Sequence, residues 1–155
     1  MSLPTDSIGF LLHDAARLMR RRFEQRTVRL GFTRAQWQVL VYLSRNEGIH
    51  QAGLADLMEI EPIGLVRILD KLQARGLVER RQHPKDRRVW LLYLTPEAHP
   101  SLAVLRKLGD DTRAEALAGI AEPDRERLVG LLDAMRGNLI AVNRTAPDAD
   151  EVNHG

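Results

Sequence analysis

Between Arg67 and Arg88 the chain places eight cations, Arg67, Lys71, Arg75, Arg80, Arg81, Lys85, Arg87 and Arg88, against three acids, Asp70, Glu79 and Asp86. Groups of this kind do chemistry without breaking bonds. They neutralise phosphates, and an arginine fork pairs with the acceptor edge of a guanine. The residue sets that break bonds have no counterpart. The glycines match neither GxGxxG nor GxxxxGKS, and there is no HExxH. With 0 cysteines, thiolate catalysis, thiol redox sensing and disulfide staples are excluded. His13, His50, His83, His99 and His154 are scattered without ligand spacing. The sequence therefore predicts no enzyme, no metal site and no cofactor.

The elements that must position those cations can be read from Ile60 to Thr95. Leu65, Ile68, Leu69 and Leu72 fall at i, i+3, i+4 and i+7, the apolar stripe of an amphipathic helix. Glu61-Pro62 suits its start and Gly76 its end. The opposite face then carries Ile63, Gly64, Arg67, Lys71 and Ala74. Two β-prone runs follow, Leu77 to Arg81 and Val89 to Leu94, around a polar break from Gln82 to Arg88 that holds Pro84 and Asp86. This predicts a hairpin whose loop carries His83, Lys85, Arg87 and Arg88. A helix with a basic outer face fits a major groove, and a basic hairpin tip reaches a minor groove. Composition alone is equally consistent with an ordinary core helix beside a solvated hairpin.

The rest of the chain reads as helices. The pattern from Ile8 to Arg29 puts Ile8, Leu11, Leu12, Ala15, Leu18, Met19 and Phe23 on one side and Arg17, Arg20, Arg21, Arg22 and Arg26 on the other. The simplest account of that arginine run is a solvated face with intrahelical pairing to Glu24. Thr33 and Gln36 have capping-box spacing, opening a helix to about Arg45 that buries Trp37, Leu40, Val41 and Leu43. Gln51 to Met58 forms a short helix with Leu54, Leu57 and Met58 inward. Thr95-Pro96-Glu97 starts another, with a kink or a late regular start expected around Pro100. In the last helix Leu128, Leu132, Met135, Leu139 and Val142 step by 4, 3, 4 and 3, the spacing of a helix packed along partner helices. Residues 146–155 read as a frayed polar tail.

Overall charge is modest: 23 basic and 21 acidic residues give +2. Nucleic-acid binding would therefore depend on local clustering. Hydrophobic content of 44% over 155 residues suits a single folded domain rather than a disordered chain. No apolar run is long enough to span a membrane. The N-terminal charges follow the short apolar run, the reverse of a secretory signal, so the expected location is cytoplasmic.

Residues Leu54 to Thr95 resemble the winged helix-turn-helix of the MarR/SlyA family of bacterial transcription regulators. The resemblance is carried by the pattern LAxLxxIxxxxLVRxLDxLxxRGLVxR, by Asp86-Arg87-Arg88 and by Leu94-Thr95. It extends from the first helix through Gln36-Trp37 to the segment Arg113–Ile120. It implies a mainly α fold with a small β-hairpin wing. Residues 33–95 would form the DNA-binding region, with helical dimerisation regions at 6–32 and 96–145. The function it implies is a homodimeric repressor or anti-silencer on an inverted-repeat operator, responsive to a small phenolic or carboxylate effector.

By resemblance the DNA-binding residues are Pro62, Ile63, Gly64, Arg67, Lys71, Lys85, Asp86, Arg87 and Arg88. Arg88 would enter the minor groove, Asp86 would orient a neighbouring arginine, and Arg87 would follow the phosphates. His13, Arg17 and Trp37 would line the effector site. Two positions depart from the family pattern: Glu59 stands where glycine is common, and Pro62-Ile63-Gly64 replaces small hydroxylated residues. Two other readings stay open, a winged helix that binds protein and, more remotely, a hydrolase assembled at a dimer seam.

Overall fold

The computed structural model describes residues 3–145, which form two compact units, Met1–Ala116 and Leu117–Gly155. The tail expected at 146–155, with His154, lies outside the described residues. The first unit holds α1 (Ile8–Thr27), α2 (Arg34–Arg45), α3 (Gln51–Met58), α4 (Pro62–Ala74), strands β1 (Val78–His83) and β2 (Asp86–Leu94), and α5 (Ala98–Ala116). The second holds α6 (Glu122–Thr145). This is the mainly helical architecture with one antiparallel hairpin that the sequence implied.

Several boundaries follow from local hydrogen bonding. Thr33 Oγ1 accepts from Gln36 N at 3.2 Å and Gln36 Oε1 accepts from Thr33 N at 3.2 Å, completing the capping box of α2. His50 Nδ1 caps α3 by accepting from Gly53 N at 3.0 Å. A Cβ at Gly53 would sit 2.9 Å from that imidazole, so the cap requires glycine there. Both α3 and α4 end in the same motif. After α4, Leu77 N donates to Leu72 O and Gly76 N to Gln73 O, with Gly76 at φ 73°. After α3, Ile60 N donates to Ala55 O and Glu59 N to Asp56 O, with Glu59 at φ 53°.

Glu59 is therefore a side chain in glycine's place. The left-handed conformation costs a non-glycine residue roughly 1–2 kcal/mol, against about 0.5–1 kcal/mol of extra chain entropy lost by glycine. Glu59→Gly should stabilise the protein by up to about 1 kcal/mol, a rise of about 2–4 °C in Tm. Calorimetry showing a lower midpoint would contradict strain at this turn.

The core of the first unit is built from Val39, Leu40 and Leu43 of α2, Leu54 and Ala55 of α3, Leu65, Leu69 and Leu72 of α4, Val78 and Leu92 of the hairpin, and Leu102 and Leu105 of α5. Val39 and Ala55 join it unforeseen, while Leu57, expected inward, is 46% exposed. The loop after α2 is stitched to β2 by Gly48 N to Leu92 O and Leu92 N to Ile49 O. Glu47 Oε1 accepts from Leu94 N at 2.9 Å.

The arginines of α1 do not simply solvate that helix. Arg22 Nε and Nη2 donate to the Glu115 carboxylate of α5 at 2.8 and 3.1 Å, and Arg26 donates to the same carboxylate and to Thr112 Oγ1 at 2.8 Å. The hydrogen-bonded Arg22, aided by Arg26, holds Glu115 down to about 2. Glu24, expected to pair within α1, binds Arg34 of α2 instead. The regular part of α5 begins only at Ala98, the late start expected near Pro100, whose missing N–H at the third position has no helical acceptor to lose. Thr95 does not cap α5 through its hydroxyl, which donates to Gly76 O at 2.5 Å.

Candidate nucleic-acid interface

Burial of Leu65, Leu69 and Leu72 fixes the roll of α4. With that stripe inward, Ile63, Arg67 and Lys71 are exposed, one turn apart along a single face. The end of α4 is held by Arg75, whose guanidinium lies 4.2 Å from the Phe32 ring centroid and donates to Gly31 O at 3.1 Å. Arg80, 19% exposed, ties β1 to α4 by donating through Nη2 to Asp70 Oδ1 at 2.6 Å and to Val66 O at 3.2 Å. Arg81 pairs with Glu79 and stacks 4.1 Å from the Tyr93 ring centroid. Hydrogen bonding to Arg81 holds the Glu79 carboxyl below its usual range.

Three of the eight clustered cations are thus engaged within the protein. Of these three, Arg75 and Arg81 are nevertheless exposed. So are the other five: Arg67 and Lys71 on α4, and Lys85, Arg87 and Arg88 on the hairpin. Of these only Arg88 makes an ion pair among the described residues, with Asp86.

The hairpin differs from expectation in its turn. A break spanning Gln82 to Arg88 was expected, but the strands extend to His83 and from Asp86, leaving only Pro84-Lys85 between them. Pairing then jumps from His83↔Asp86 to Gln82↔Trp90, so Arg87, Arg88 and Val89 have no partner on β1. The chain bulges where the two arginines sit. His83 Nδ1 accepts from Lys85 N at 3.1 Å and closes the turn.

Asp86 organises the bulge. One carboxylate oxygen accepts from Arg88 N at 3.0 Å and from Arg88 Nε at 3.2 Å, and the other from Arg88 Nη2 at 3.4 Å. These bonds, the side-chain ones foremost, lower the Asp86 pKa. The arginine expected to need orienting is therefore Arg88 itself. Its side chain stays 91% exposed, so it is aimed without being covered.

A cavity of about 560 Å³ opens between α1, α2 and α5. Its wall combines Phe23, Trp37, Val41, Leu102 and Leu105 with the cations Arg20, Arg45, Arg106 and Arg113, and Asp110. Phe23 and Trp37 meet edge to face with centroids 4.6 Å apart. Of the residues expected to line an effector site, only Trp37 lines this cavity. His13 and Arg17 are exposed and outside this lining, and Arg17 pairs with Asp14 at 3.4 Å. Arg20, one turn after Arg17 on α1, lines the cavity instead. Arg106 and Arg113 come from a helix 70 or more positions away and carry no local signal.

No group of histidine, aspartate or glutamate able to hold a metal ion occurs among the described residues. No described helix is long and apolar enough to cross a membrane.

The MarR family model matches residues 30–89, which span α2 to the bulge of the hairpin. The solved structure of the transcriptional regulator PA3341 is 32% identical, covers 86% of this chain and 98% of its own, and superposes with a TM-score of 0.75. Wild-type MarR from E. coli in its apo form is 26% identical over 87% of this chain and 98% of its own, with a TM-score of 0.73. A MarR transcriptional regulator from Methanosarcina mazei Go1, 22% identical, shares the fold over 89% of this chain and 99% of its own with a TM-score of 0.79. With these likenesses and its winged helix-turn-helix, the chain belongs to the MarR family of transcriptional regulators, not to an enzyme family.

Proposed function

We propose that this regulator is a cytoplasmic homodimer that binds an inverted-repeat operator in double-stranded DNA and acts as a repressor or anti-silencer, with DNA affinity tuned by a small aromatic anion. The observation that carries the reading is the division of labour among the clustered cations. Arg75 ties the end of α4 to Gly31-Phe32, Arg80 ties β1 to α4 and Arg81 braces the hairpin on Tyr93, while Arg67, Lys71, Lys85, Arg87 and Arg88 tie no two elements together and stay exposed. Residues 33–95 form the DNA-binding region. Residues 6–32 and 96–145 supply the dimerisation helices, where Ile8, Leu11, Leu12, Leu18 and Met19 of α1 and Leu128, Leu132, Leu139 and Val142 of α6 expose apolar surface. The effector lies in the cavity beside Trp37, its ring against the aromatic wall and its carboxylate against an arginine.

Salt dependence tests the reading directly. Each phosphate neutralised contributes about −0.9 to the slope of log affinity against log salt concentration. A dimer using most of its exposed cations should give a slope between about −4 and −9 on duplex DNA. Affinity that hardly changes between low and moderate salt would instead favour a protein-binding winged helix.

Within the wing, Arg88 enters the minor groove, Arg87 follows the phosphates and Asp86 sets the approach of Arg88. A narrow A·T-rich groove concentrates negative potential, so Arg88→Ala should cost more on operators with A·T-rich flanks than on G·C-rich ones. Asp86→Ala removes a negative charge yet should also weaken binding, by about 1 kcal/mol, because Arg88 loses the hydrogen bonds that orient it. Tighter operator binding by Asp86→Ala in a filter assay would reduce the wing to a positive patch.

A further inference from the structure

Two neighbouring residues of α4 have no explanation within the chain. Ile63 is 69% exposed, more than any other large apolar side chain between residues 33 and 95. A branched aliphatic group held in water gains nothing from burial. Gly64 is the third residue of the helix. Its φ is not positive, and a Cβ added there would meet nothing within 4 Å. Neither backbone conformation nor internal packing calls for glycine, which is the least favourable helix residue after proline. Both anomalies sit where the helix meets the outside. Arg67 lies four residues beyond Ile63 on the same exposed face, and Lys71 one turn further.

We propose that Ile63 and Gly64 form a specificity element that seats the first turn of α4 against the 5-methyl group of a thymine in the major groove. Ile63 makes the apolar contact, and the bare Cα of Gly64 lets the helix backbone approach the base edges. Pro62, Ile63 and Gly64 offer no side-chain donor or acceptor, so a base facing this turn is read by its methyl group rather than by hydrogen bonds. The cations on α4 and the hairpin bring the polyanion to this face, and Arg67 adds hydrogen-bond readout at a neighbouring base pair. The inference rests on the DNA-binding reading above.

The test starts by enriching duplexes from a random-sequence library with the full-length protein, then replacing each thymine of the enriched duplex by deoxyuridine, which removes only the methyl group. One position per half-site should lose about fourfold in affinity, the effect of one buried methyl. Ile63→Ala should lose a similar factor on the thymine duplex and show no further loss on deoxyuridine at that position. Gly64→Ala should raise the thermal midpoint by about 2 °C through helix propensity while weakening operator binding about tenfold or more. A folding defect cannot produce those opposite signs.

The inference is overturned if every thymine can be replaced without loss, or if the enriched half-site contains none. Full deoxyuridine sensitivity in Ile63→Ala, or wild-type binding by Gly64→Ala, also overturns it. Failure to enrich any duplex would remove the DNA-binding reading itself, an outcome distinct from all of these.

Discussion

Replacing Leu132 and Leu139 together with aspartate should turn the dimer into a monomer and reduce operator affinity by about 100-fold or more. In the single chain Leu139 is 60% exposed and Leu132 38%. Aspartates cost the isolated protomer little at Leu139 and more at Leu132, which is why folding is checked alongside. In a dimer they would be buried, and an unpaired carboxylate in an apolar seam costs several kcal/mol. The loss in DNA binding follows from avidity: a tethered second half-site strengthens binding by about 10²–10⁴-fold, and a monomer forfeits it. Sedimentation velocity with circular dichroism checks both parts. A well-folded dimer that still binds operator would remove α6 from the subunit interface.

Arg67→Ala should lose about 1–3 kcal/mol on the operator and relax discrimination at one base position, because a fork in the first half of α4 reaches base edges. Lys71, one turn on along the same face, should behave differently. Lys71→Ala should weaken operator and random duplex alike and flatten the salt slope by about 1 per protomer. Competition binding against a panel of point-substituted operators separates the two behaviours. Equal losses on specific and random DNA for Arg67→Ala would show that it touches only phosphate.

What could be foreseen in this chain was what depends on neighbours in sequence. The Thr33–Gln36 box, the proline start and glycine end of α4, and its buried stripe all arise within one or two helical turns. The hairpin was visible, but its turn was placed too broadly. Asp86-Arg87-Arg88 is polar enough to read as loop, and a strand's conformation depends on the partner it pairs with rather than on its own propensity.

The cap on α3 was hidden because histidine is not among the favoured capping residues, and His50 works only because Gly53 lets the imidazole close in. The ion pairs escaped for a topological reason. Glu24 finds Arg34 on the next helix, and Glu115 finds Arg22 and Arg26 across 93 and 89 positions. The cavity between α1, α2 and α5 mixes both kinds of signal, since Trp37 in its wall stands out in the sequence while Arg106 and Arg113 on α5 could not be seen from α1.

A hydroxyl-radical footprint of the wild-type protein on its enriched duplex tests the central claim most directly. A two-fold dimer presenting two copies of α4 should protect two blocks related by a dyad, with half-site centres about 10 base pairs apart, one turn of the double helix. A single asymmetric block, or even protection along the whole duplex, would contradict it.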